Sequence, residues 1–223
     1  MTRHELKETD EITTKIQSFT EVALARKKEI LTAAVVLVIL VGAVAGWRLY
    51  AANRNAGAQT QLAQVINAFN DPNTKADKER FEKTIAEAEK TRAAYGSLPA
   101  ATIARYYIGV SQEGLGDTAK ATANLEQVIQ AGDANIAGVA KFALAGIYKK
   151  HGETQKAIDL YKQIYETGGY SRSAAVYELA RLSEASNKTD EAKTYYQKIV
   201  SEFPDSPFRQ DADAALKRLG AGA

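Results

Sequence analysis

Hydrophobic positions follow two different patterns along this chain. Residues 30–47, ILTAAVVLVILVGAVAGW, are apolar on every face, and eighteen residues pass without a charge. From about residue 100, apolar and polar positions instead alternate with helical period inside a longer repeat. Three stretches align: GLGDTAKATANLEQVI at 114–129, KHGETQKAIDLYKQIY at 150–165 and EASNKTDEAKTYYQKIV at 184–200. In them Ala121, Ala157 and Ala192 stand 36 and 35 residues apart, each five residues after Gly116, Gly152 or Asn187. Gly and Asn suit the left-handed turn that ends one helix, and the small alanine lets the next helix approach closely. Leu125, Tyr161 and Tyr196 follow four residues later, and then come Val128/Ile129, Ile164/Tyr165 and Ile199/Val200. Upstream, Ile108/Gly109, Leu144/Ala145 and Leu179/Ala180 mark the first helix of each pair. The pattern predicts an all-α chain with three helical hairpins, the third closed by Pro204. It also predicts a degenerate earlier pair at 58–69 and 77–95, joined by NDPNTKAD and ended at Pro99, and a final helix at 208–219 covering the last apolar face.

As a helix, the uncharged run rises about 27 Å, near the thickness of a bilayer's hydrocarbon core. Trp47 and Tyr50 suit an interfacial aromatic belt, and Arg48 can extend its stem toward head groups. Arg26, Lys27 and Lys28 precede the run, against Arg48 and Arg54 beyond it, so the positive-inside rule puts the N-terminus in the cytoplasm. A buried soluble helix and a cleaved signal peptide are the competing readings; Ala43, Val44 and Ala45 imitate a cleavage site, but the polar segment ahead of the run is as long as most whole signal peptides. Residues 1–29 carry six basic and six acidic side chains, with Ile12, Ile16, Phe19 and Ala23 on one helical face. An amphipathic surface helix and a disordered tail both fit that segment.

The repeated units resemble the tetratricopeptide repeat, whose helix pairs place a small residue, an aromatic, a turn Gly, a buried Ala and a closing Pro in this order. Tyr148 sits where that family has its first-helix tyrosine; Gln112 and Ser183 replace it in the other units. A short mixed-charge tail, one span ending in GWRLY and helical repeats to the C-terminus resemble, as a whole, the ancillary subunit family of the bacterial Sec translocon. That resemblance implies a single-pass inner-membrane protein with a periplasmic repeat domain, linking translocon subunits, exported chains and periplasmic chaperones. The expected organisation is a cytoplasmic tail at 1–29, a transmembrane helix at 30–50, a connecting region with the degenerate pair at 51–99, and tetratricopeptide-like repeats with a capping helix at 100–223. A structural or regulatory scaffold for envelope assembly or cell division is the alternative use of the same architecture.

Charge and composition narrow the chemistry further. The net charge is only +2, without the basic excess that tracks a phosphate backbone, so nucleic acid is not an expected partner. The absence of cysteine removes disulfides, thiolate catalysis and a lipid-bearing cysteine. The two histidines, His4 and His151, fall on opposite sides of the proposed membrane and cannot form one metal site. Glu87 and Glu89 point to different faces of a helix, and the G-L-G of 114–116 lacks the strand and third glycine of a phosphate cradle. The chain therefore reads as a non-enzyme needing no cofactor, metal or small-molecule substrate. Its candidate site is a concave face lined by the first helix of each pair, with Tyr106, Phe142 and Tyr177 in one row. Ile103, Val110, Val139 and Arg181 surround the row. The groove positions lack the Lys and Asn with which some tetratricopeptide domains clamp a C-terminal carboxylate. Ordinary packing between repeats is the competing account of the row.

Overall fold

The computed structural model describes residues 25–74, 76–167 and 171–220; the amphipathic pattern expected at 12–23 lies outside them. Every regular element among the described residues is a helix: α1 (Lys27–Phe69), α2 (Asp77–Tyr95), α3 (Pro99–Gly114), α4 (Thr118–Ala131), α5 (Ala134–Lys150), α6 (Thr154–Thr167), α7 (Arg172–Ala185), α8 (Thr189–Glu202) and α9 (Arg209–Arg218). The chain divides into two units, residues 1–54 and 55–223.

In the first unit, the described part of α1 is exposed along its whole apolar stretch, from Ile30 to Tyr50. None of its most hydrophobic eighteen-residue window is buried, and the helix is long and apolar enough to cross a membrane by length and composition. Its one hydroxyl in the run, Thr32 Oγ1, donates to the carbonyl of Lys28 at 2.8 Å, so it adds no unpaired polar group to the apolar surface. The helix does not stop at residue 50, where the sequence pattern changes; backbone hydrogen bonding carries it on to Phe69.

The second unit is a stack of helical hairpins in which each helix from α2 to α9 packs on the next, and α3 also touches α5. Three turns repeat almost bond for bond. Gly116, Gly152 and Asn187 take positive φ of 82°, 79° and 59°. The amide after each one bonds back to the preceding helix: Asp117 to the Gln112 carbonyl, Glu153 to Tyr148 and Lys188 to Ser183, at 2.8–2.9 Å. This is the Schellman arrangement, which occupies the orphan carbonyls of a helix end and sets the angle of the next helix. Gly220 adds a fourth left-handed residue after α9, at φ 76°. Starts are fixed as locally: Asp133 accepts from the amides of Asn135 and Ile136, Asp117 from that of Lys120, and Pro99 opens α3.

Inside each hairpin the small and large positions sit where the helices cross. Ala121, Ala157 and Ala192 are fully buried, as are Val128 and Ile199, with Leu125, Tyr161 and Tyr196 next to them. Gly109 belongs to the same close approach, since a β-carbon there would stand 2.9 Å from Leu125 Cγ. The earlier pair, the end of α1 with α2, is filled differently: Ala58, Leu62 and Val65 pack with Ala88, Ala100, Ala104 and Ile108. Two buried threonines of α2, Thr84 and Thr91, donate to the carbonyls of Arg80 and Glu87 one turn back. Successive hairpins are also tied by ion pairs, Lys150 to Glu113 and Lys149 to Glu178 at 2.7 Å each, and Arg218 to Glu184.

Candidate functional site

Equivalent turns of α3, α5 and α7 carry Tyr106, Phe142 and Tyr177, all half-buried. They are not free-standing aromatics. Tyr106 and Val110 pack on the cluster of Ala121, Leu125 and Leu144. Phe142 meets Tyr161 edge-on at 5.3 Å, and Tyr177 meets Tyr196 at 6.2 Å. Tyr177 is further stacked on Phe208 at 4.7 Å, while its hydroxyl donates to Asp211 at 3.4 Å. Each ring thus presents one face to the helix crossing and leaves the remainder to the surface.

Four of the seven expected residues line three separate depressions. Val110 lines a small apolar one of about 230 Å³ with Ala143, Gly146 and Ile147. Phe142 lines a cavity of about 600 Å³ whose opposite wall is Phe203, Pro204, Pro207 and Phe208. Tyr177 and Arg181 line a third, of about 750 Å³, with Glu184, Asp211 and Arg218. Arg181 is exposed, its guanidinium 6.0 Å from the Tyr177 ring centre and 4.0 Å from Glu178. Ile103 packs on the cluster of the first pair, and Val139 is half-buried on α5.

Sequence reasoning missed the 203–208 segment, FPDSPF. Pro204 reads only as a stop signal, yet Phe203 and Phe208 line the same cavity as Phe142. The signal available was an aromatic at each end of a segment too short and proline-rich to form a core of its own.

Burial raises the Tyr106 hydroxyl above the ordinary phenol range, with Tyr107 adding to it; burial followed by Asp211 does the same for Tyr177. The row is therefore uncharged across physiological pH and offers flat apolar area with hydroxyl tips, which suits a polypeptide segment rather than an ion. Among the described residues, no group of three or more His, Cys, Asp or Glu side chains converges to hold a metal. His151 Nε2 instead lies 3.1 Å from Thr118 Oγ1 and 3.4 Å from Glu113, at a junction between hairpins.

Stacked helical hairpins with left-handed turns at a constant interval define a repeat protein of the helix–turn–helix class. The sequence model of the tetratricopeptide repeat-like domain matches residues 27–221, and the chain belongs to that family. No curated protein matches it by sequence. Among solved structures, it is similar to a tetratricopeptide repeat protein from Parabacteroides merdae, with TM-score 0.54 and 17% identity over 72% of this chain and 60% of that one. It is also similar to the nearly identical tetratricopeptide-like repeats of a putative kinesin light chain from Podosopora anserina, with TM-score 0.54 and 18% identity over 74% of this chain and 85% of that one. At such identity the likeness is one of fold. This fold is typically a non-catalytic scaffold for protein interaction.

Proposed function

We propose that this protein is a single-pass membrane adaptor that holds partner polypeptides on its repeat domain outside the cytoplasm, beside the Sec translocon, linking export to periplasmic chaperones. The observation that carries the reading is the contrast along α1: an apolar stretch left exposed by the described residues leads, in the same helix, to residues packed into a protein-binding fold. Orientation follows from Arg26, Lys27 and Lys28 on the cytoplasmic side. The binding surface is the row Tyr106, Phe142 and Tyr177 with Ile103, Val110, Val139 and Arg181, and Phe142 with Phe203 and Phe208 lines a cavity of about 600 Å³. An apolar segment of the partner packs there against the aromatic rings.

The test is a photoreactive phenylalanine placed at Phe142 in intact cells, with the exposed position Gln163 on α6 as control. Crosslinks from position 142 to translocon subunits or periplasmic chaperones, absent from position 163, are expected. Equal capture from both positions would remove the groove. Capture of division or cell-wall proteins alone would replace the export role with a scaffold in envelope assembly.

A further inference from the structure

A further depression, lined by none of the row residues, lies between α2, α3 and α4, with a volume of about 550 Å³. Its wall carries Arg92, Arg105, Glu89, Thr102, Gln127 and Gln130. Glu89 is committed to Arg92, whose Nη1 reaches both carboxylate oxygens at 2.9 and 2.8 Å. Arg105 is half-buried yet has no hydrogen-bond partner among the described residues; burial lowers its guanidinium from the ordinary value, the neighbouring Arg92 charge lowers it further, and Glu89 opposes both. It remains charged at any physiological pH. Two guanidiniums against one carboxylate leave one positive charge over, in a depression partly withdrawn from solvent.

We infer that this depression is an anion-binding site that takes a single carboxylate, the Asp or Glu side chain of an acidic peptide segment, on Arg105. One surplus charge is neutralised by one carboxylate, whereas a phosphate dianion would leave the balance negative. The guanidinium fork matches a carboxylate bidentately. The side-chain amides of Gln127 and Gln130 and the hydroxyl of Thr102 supply neutral donors around it. The site shares no residue with the aromatic row, so a partner could occupy both, with an apolar stretch on one and an acidic stretch on the other.

The experiment uses the full chain in detergent micelles with labelled arginine side chains, titrated with the capped peptide acetyl-(Glu-Ala)3-amide while the Arg105 Nε–H signal is followed by NMR. A saturable shift of that signal is expected, with no shift for acetyl-(Gln-Ala)3-amide. Arg105→Gln should weaken peptide binding at least about tenfold, the loss expected for one charge-assisted pair; Arg105→Lys, which keeps the charge without the fork, should fall between. An unmoved Arg105 signal in the unaltered chain overturns the site, as does equal binding of the glutamine peptide. Inorganic phosphate binding more tightly than the peptide would overturn the carboxylate assignment. None of these readouts depends on Phe142 or on the export role, so the two proposals fail separately.

Discussion

The first hairpin and the middle one solve the same packing problem with opposite materials. Where the end of α1 meets α2 and α3, four of the buried residues are alanines, Ala58, Ala88, Ala100 and Ala104, beside Leu62, Val65 and Ile108, and Gly57 faces the Tyr95 hydroxyl so closely that a β-carbon would stand 2.6 Å from it. Where α5 meets α6, alanine at 157 is combined with a tyrosine at 161 that is 1% exposed and touches Phe142. The first relies mainly on small residues where the helices meet; the second combines an alanine with one large buried ring. Small-residue interfaces lose little when a side chain is removed and much when one is added, and the reverse holds for a ring-filled gap.

That contrast can be broken by experiment, beginning with the largest effect. Tyr161→Ala should destabilise the protein by about 3–5 kcal/mol, as loss of a fully buried ring does, and chemical unfolding of the purified protein would read it. A loss under about 1 kcal/mol would mean that the ring is peripheral. Enlarging the alanines tests the other half: Ala157→Leu and Ala88→Leu should each cost about 1–3 kcal/mol through overpacking. If only Ala157→Leu is costly, the first pair is looser than its alanine contacts indicate. Turn chemistry comes next. Gly116→Ala forces a β-carbon into the left-handed region at φ 82° and should cost about 1 kcal/mol, with Asn187→Ala smaller because position 187 already accommodates a side chain at φ 59°.

The smallest effect concerns the tie between hairpins at Glu113. Burial raises its carboxyl, but the hydrogen bonds from Lys150, Thr118 and His151 outweigh burial, and the net shift is downward from 4.5. A carboxyl depressed in the folded state adds stability that is present above its unfolded value and is lost as pH falls through the folded one. Glu113→Gln should therefore cost under about 1 kcal/mol at neutral pH, given the exposed Lys150 partner, and the difference from the unaltered protein should shrink as pH falls below 4.5. Melting curves of both proteins from pH 3 to 7 would show it, and a difference that persisted unchanged at pH 3 would assign the effect to packing.

Positions governed by local rules are legible in the chain itself. Gly116, Gly152 and Asn187 declare their turns, because few residues tolerate positive φ and the repeat interval is visible along the sequence. Ala121, Ala157 and Ala192 declare the crossings by size. The candidate site is legible only in part. Tyr106, Phe142 and Tyr177 can be placed on equivalent turns by counting, but what covers each ring depends on residues far along the chain: Tyr161 on one, Phe208 and Asp211 on another. Arg105 gives no signal at all, since a lone arginine on an amphipathic helix reads as a solvated charge.

The sequence by itself determined where the helices turn, which of their faces are buried, and that one stretch is apolar all round, because each is set by backbone sterics, helical period and composition within a few residues. Only the tertiary structure decided which aromatic packs on which neighbour, and that Arg105 of α3 lines the same depression as the Glu89–Arg92 pair of α2. Those outcomes depend on distances between helices tens of residues apart, and the spacing of charges and rings across such gaps exists only once the hairpins have stacked.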